Sequence, residues 1–145
     1  IHWIDGWGFD QDKEWWASKS VDWIYQRYYE LMIQMADSGL FSILAHPDSI
    51  KCFGYQPTTK MAHHYEKLVE AMQCHEEAAE MSSGLKNNYH TDALGMDEDL
   101  LKMLVENNVN IVTASDAHQI EDIGKWIPEM QETIKRFRSI VRNGS

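Results

Sequence analysis

The chain has 145 residues, 43% hydrophobic and 25% charged, the balance of an ordinary globular domain rather than of a disordered or fibrous chain. A domain of this length buries roughly 68–70% of its unfolded surface, so a substantial core is available. Thirteen basic residues against 23 acidic ones leave a formal charge of −10, which repels phosphate backbones and anionic lipid and argues against nucleic-acid or membrane partners.

The first helix is expected over much of Asp12 to Asp37, where Ile24, Tyr28, Leu31, Met32 and Met35 form one stripe at helical period. Gly39 is its natural stop. Leu40 to Ala45 reads as a short strand covered on both faces. A second helix is expected from near Thr58, with Met61, Tyr65, Leu68, Val69 and Met72 inward. Ala78 to Met81 is a weaker strand candidate, followed by a loop from Gly84 to Gly95. Asp97 can cap a third helix with Leu100, Leu101, Leu104 and Val105 inward. Asn110 to Ala114 is the clearest strand, β-branched and bounded by polar residues. Pro128 opens the last helix, whose core face is Met130, Ile134, Phe137 and Val141. Alternating strands and helices with short connections predict an α/β domain with a mainly parallel sheet.

Cys52 and Cys74 have no framework or metal-binding spacing and read as free thiols of a reducing cytosol. No apolar run approaches the roughly 20 residues of a membrane span. The opening Ile1-His2-Trp3-Ile4-Asp5 carries neither the basic region nor the apolar segment of a signal peptide. With no initiating Met, and with Asn143-Gly144-Ser145 at the other end, a processed or truncated chain is expected.

Polar side chains stand at the ends of these strands. His2 lies in a short apolar start, His46 directly follows Ile43-Leu44-Ala45, and Asp116 and His118 directly follow Ile111 to Ala114. Carboxyl ends of parallel strands are where α/β folds place their sites. In an extended Ser115-Asp116-Ala117-His118 segment, Asp116 and His118 would project to the same side. Imidazole with carboxylate suits a transition-metal centre. The competing reading makes Asp116 a turn cap and His118 a surface residue. Pro47 should hold His46 extended and aim it out of the strand end, and Asp48 either orients that imidazole or caps the next helix. His63, His64 and His75 are expected at the surface, and His90 lies in the loop after Gly84. The Trp15, Trp16, Trp23, Tyr25, Tyr28 and Tyr29 cluster has the helical spacing of core or interface packing.

Four segments occur in a telling order: His2-Trp3-Ile4-Asp5-Gly6-Trp7-Gly8-Phe9-Asp10, Leu44-Ala45-His46-Pro47-Asp48-Ser49-Ile50-Lys51, Glu80-Met81-Ser82-Ser83-Gly84-Leu85-Lys86, and Ser115-Asp116-Ala117-His118. Together they resemble the PHP (polymerase and histidinol phosphatase) superfamily, and within it the monofunctional histidinol-phosphatases. The resemblance implies a distorted (β/α)7 TIM-like barrel with two or three divalent metal ions (Zn, Mn or Fe) at its carboxyl face. It implies that His2, His46, Asp116 and His118 are metal ligands, with Asp116 and His118 the catalytic pair. The stretch containing Glu80, Ser83 and Lys86 would line the substrate pocket, with Lys86 helping to neutralise the phosphate, and Asp5 or Glu80 would contact the amino alcohol or its imidazole. Ser82 stands where the family often has Asn and Lys86 where it often has Arg; a lysine binds phosphate as a point charge without the bidentate fork.

The family's opening His-x-His motif, a further histidine and a bridging glutamate all precede the His2 segment. The resemblance therefore implies one partial domain over residues 1–145, the carboxyl-terminal half of the barrel. It implies a cytoplasmic phosphatase of histidine biosynthesis acting on a small phosphorylated substrate, with an exposed half-barrel surface that favours self-association. A phosphoesterase of other substrate, or a catalytically incomplete metal-binding fragment, is the alternative.

Overall fold

The computed structural model describes residues 1–144; Ser145, part of the ending considered above, lies outside the described residues. The chain opens with a hairpin, β1 (Trp3–Ile4) antiparallel to β2 (Trp7–Gly8). Its turn is Asp5-Gly6, both residues at positive φ (48° and 88°), the geometry of a tight two-residue hairpin turn.

The expected single helix between Asp12 and Asp37 is two. Asp12 caps the short α1 (Lys13–Trp16), its carboxylate accepting from the Glu14 and Trp15 N–H groups. Ser18 then turns its hydroxyl back onto the Trp15 carbonyl at 2.7 Å. Ser20 caps α2 (Val21–Asp37) by accepting from the Trp23 N–H at 3.2 Å. Serine hydroxyls that bond nearby backbone groups compete with helix propagation, which is why the run breaks here. α2 buries Ile24, Tyr28 and Met32 of the expected stripe together with Tyr25, Tyr29 and Ala36, while Leu31 and Met35 are half-buried.

The expected strand from Leu40 to Ala45 shortens to β3 (Ile43–Leu44). Leu40, Phe41 and Ile43 are exposed at 79%, 48% and 49%, so a segment read as covered on both faces is open along this edge. A 3₁₀ turn (Ser49–Phe53) follows, then α3 (Ala62–Cys74), which starts later than Thr58. The Thr58 and Thr59 N–H groups bond the Asp22 carboxylate at 2.6 and 3.0 Å, tying this segment to the start of α2 instead of beginning a helix.

β4 (Ala78–Ser82), the weak candidate, is the central strand, buried on both faces. It pairs in parallel with β3 (Ile43↔Ala78) and with β5 (Ile111–Ala114; Ile111↔Ala79). The loop expected after Gly84 holds a short helix, α4 (Gly84–Asn88). Asp97 caps α5 (Glu98–Glu106) as expected, accepting from the Asp99 and Leu100 N–H groups. A second 3₁₀ turn (Ile120–Asp122) leads to α6 (Ile127–Asn143), with Pro128 in its first turn.

α2 packs on α3, α3 on α5, and α5 on α6. Leu68 and Met72, Leu100, Leu101 and Leu104, and Met130, Ile134 and Phe137 fill the layer between helices and sheet. The result is a mixed α/β unit with an open, three-stranded parallel sheet; no closed barrel forms among the described residues. None of the described helices is long and apolar enough to cross a membrane.

Candidate functional site

The carboxyl ends of the strands open onto one cavity of about 160 Å³. His2 reaches it from the residue before β1, His46 from beyond β3, Ser82 from the end of β4, and Asp116 and His118 from beyond β5. Three separate elements thus deliver three imidazoles and a carboxylate to one place, and a fourth adds the Ser82 hydroxyl. The His2 and His46 rings meet edge to face with centroids 5.1 Å apart. Burial above all, then the nearby amino-terminal charge and His2, holds the His46 imidazole below its ordinary pKa and so favours the neutral ring.

Two local geometries differ from expectation. His46 is not extended before Pro47 but sits at φ 33°, and Asp116 is not extended after β5 but sits at φ 49°. Both are in the left-handed region that side chains other than glycine seldom adopt, a local strain that surrounding contacts must hold. At Asp116 those contacts are visible. The Asn88 amide donates to its backbone carbonyl at 3.0 Å and to its carboxylate at 3.3 Å. His118 Nδ1 lies 3.0 Å from the same carbonyl. A carbonyl only accepts, so this contact places a His118 proton on Nδ1. Asp116 and His118 therefore come together through a tight turn, not by alternation along a strand.

Gly84 is the floor beneath this carboxylate. A Cβ there would fall on the Asp116 side chain, 2.9 Å from its Cβ and 3.0 Å from its Cγ. Glu80 stands behind, half-buried; burial and the neighbouring Asp116 push its carboxyl above the ordinary range, partly offset by the His46 backbone N–H.

The remaining expected site residues lie elsewhere. Glu80 does not line the cavity. Ser83 is fully buried, donating to the Lys125 carbonyl at 2.9 Å, and so pins the approach to α6. Lys86 lies with Nζ 5.1 Å from the centre of the Trp126 ring, outside the cavity. Asp5 is exposed at the hairpin turn, gripped by Arg27 through two bonds of 2.8 and 2.7 Å. Asp48 lines the cavity, but its carboxylate bonds Lys51 at 2.6 Å and the Asp97 N–H at 2.8 Å, joining the loop after β3 to the start of α5. His63, His75 and His90 are exposed and His64 is half-buried on α3. Of the aromatic cluster, Trp16, Tyr25, Tyr28 and Tyr29 are core.

Two cavity residues, Asp10 and Tyr89, have no expected role; Asp10 contacts His2, and Tyr89 contacts Asp10. Asp10 Oδ2 lies 2.9 Å from His2 Nδ1 and accepts from the Tyr89 hydroxyl at 3.0 Å. The Asp5-Gly6 dipeptide was the available signal, because a tight hairpin there folds Asp10 back over His2. Tyr89, 79 residues from Asp10, had none.

The donor set suits a divalent transition metal: imidazoles of His2, His46 and His118 beside the carboxylate of Asp116. His46 Nδ1 is buried and has no hydrogen-bond partner, as an atom that would face a cation can be. Among the described residues, though, no three His, Cys, Asp or Glu side chains are gathered tightly enough to hold an ion by themselves. These residue types can ligate a metal, but the described residues do not by themselves form a metal site.

No protein-family model matches the chain. A probable histidinol-phosphatase of Deinococcus radiodurans is 27% identical over 150 residues, an alignment covering 97% of this chain and 52% of that protein. The chain thus spans about half the length of the curated relative it matches, and the similarity, distant as it is, points toward phosphatases.

Proposed function

We propose that this chain is the carboxyl-terminal half of a PHP-type barrel, part of a cytoplasmic, metal-dependent phosphomonoesterase that hydrolyses L-histidinol phosphate to L-histidinol and phosphate. One observation carries the reading: His2, His46, Asp116 and His118, selected from the sequence as strand-end ligands, line a single cavity. The name of the Deinococcus radiodurans relative supports the substrate. The uncovered edge at Leu40, Phe41 and Ile43 supports a sheet whose neighbours lie outside these residues.

In this reading His2, His46, Asp116 and His118 hold the metal, with other ligands supplied from beyond the chain. When bound, divalent ions polarise a phosphoryl oxygen and bring the pKa of water toward about 7. The chain's own contribution is positional. Asn88 and Gly84 fix the Asp116 carboxylate, and His118 is held through Nδ1 against the Asp116 carbonyl. Lys86 lies away from the cavity and no lysine or arginine among the described residues lines it, so counter-charge to the phosphate would have to come from bound ions. An overall charge of −10 disfavours a nucleic-acid substrate.

The test is phosphate release from a panel of phosphomonoesters, with single-stranded DNA alongside, by the chain alone and by the chain joined to its complementary half. The chain alone should turn over little. The joined protein should release phosphate from L-histidinol phosphate and stop when chelated. A joined protein carrying full metal but cleaving only DNA, or nothing, would overturn the proposal.

A further inference from the structure

Asp10 returns to the cavity because the Asp5-Gly6 turn reverses the chain, placing its Oδ2 2.9 Å from His2 Nδ1. The Asp10 side chain is 11% exposed and the His2 ring 49%, so the buried partner sets the geometry. Tyr89 donates its hydroxyl to the same Oδ2 at 3.0 Å, and this fixes the plane of the carboxylate. A carboxylate oxygen offers lone pairs and no hydrogen, so the hydrogen between Asp10 and His2 belongs to the imidazole. A neutral imidazole free in water favours the proton on Nε2; here it is drawn to Nδ1. Nε2 is then the nitrogen left with a lone pair.

We infer that Asp10, braced by Tyr89, is a positioning residue that locks His2 in the Nδ1–H tautomer and presents Nε2 as an electron-pair donor. The tautomer stands on these contacts alone; its use toward a metal ion rests on the function proposed above. A carboxylate behind a ligating imidazole fixes ring orientation and raises its basicity, and losing such a partner costs about 10–100-fold in metal affinity.

Long-range nitrogen–proton spectra of the ¹⁵N-labelled chain, taken above the pH at which imidazole titrates, read the tautomer directly. His2 should show Nδ1–H in the wild type and shift toward Nε2–H in Asp10→Ala, and Zn²⁺ titration should weaken about 10–100-fold. Tyr89→Phe keeps the acceptor and should keep the tautomer. A wild-type His2 with its proton on Nε2 overturns the inference whether or not the variant folds, as does an unchanged tautomer in a folded Asp10→Ala. A shifted tautomer with unaltered Zn²⁺ binding would uphold the positioning role while removing His2 from the proposed ligand set.

Discussion

Adding one methyl group at Gly84 tests how tightly the site is built. Gly84 is the first residue of α4 and has a backbone any residue can adopt, so alanine brings no conformational penalty and gains up to about 1 kcal/mol of helix propensity. Against that, the new Cβ would land on the Asp116 side chain, 2.9 Å from its Cβ. Asp116 cannot simply swing aside, because its backbone is held at φ 49° and Asn88 binds both its carbonyl and its carboxylate. Overpacking of this kind costs about 1–3 kcal/mol. Losing the side-chain half of the Asn88 clamp adds about 1 kcal/mol. The net loss expected for Gly84→Ala is about 1–3 kcal/mol, read from urea midpoints at unchanged slope. The sharper measurement is the double variant. Asp116→Gly removes the obstructing carboxylate and suits the left-handed backbone, so Gly84→Ala should cost almost nothing in that background. A coupling of at least about 1 kcal/mol is expected from a cycle of the four proteins. Additivity within about 0.5 kcal/mol, the behaviour of independent sites, would refute the packing argument.

Asp116→Asn keeps shape and tolerates the left-handed backbone, so stability should change by only a few tenths of a kcal/mol; in the joined protein, metal affinity and turnover should collapse, and normal metal content with normal turnover would leave Asp116 a mere turn residue. Glu77 is 2% exposed with neither carboxylate oxygen bonded, and burial raises its carboxyl above the ordinary 4.5. The folded state therefore keeps that proton longer than the unfolded state, and this contribution, complete below pH 4.5, is lost as pH rises through the folded value. Glu77→Gln should flatten this part of the stability–pH curve and gain about 1 kcal/mol at neutral pH, and an unchanged curve from thermal melts would count against it. Lys51 and Asp48 form a 2.6 Å pair with side chains 14% and 6% exposed, so Lys51→Met, which strands the carboxylate, should cost about 3 kcal/mol or more by denaturant titration. A cost below about 1 kcal/mol would mean that the Asp97 N–H alone satisfies Asp48.

The inward faces of α2, α3, α5 and α6 were legible because a 3.6-residue period is written in adjacent turns and needs no partner to be read. Caps such as Asp97 and the first-turn Pro128 were legible for the same reason, as was the order of strands ending in His46, Asp116 and His118. What distant contacts decide was not legible. The break between α1 and α2 depends on which backbone group each serine hydroxyl finds. The short β3 reflects pairing with β4 at Ile43 and Leu44 alone, with Leu40 and Phe41 left exposed. Ser83 and Lys86 sit in the same short stretch, yet one is drawn under the approach to α6 and the other onto Trp126, by residues some 40 positions later. The left-handed turns at His46 and Asp116 run against local preference and persist only through contacts such as Asn88 and Gly84. Residue types at strand ends mark where chemistry can occur. Which nitrogen a histidine offers is decided by the acceptor packed behind it, and only the folded chain brings Asp10 and Tyr89 together to make that choice.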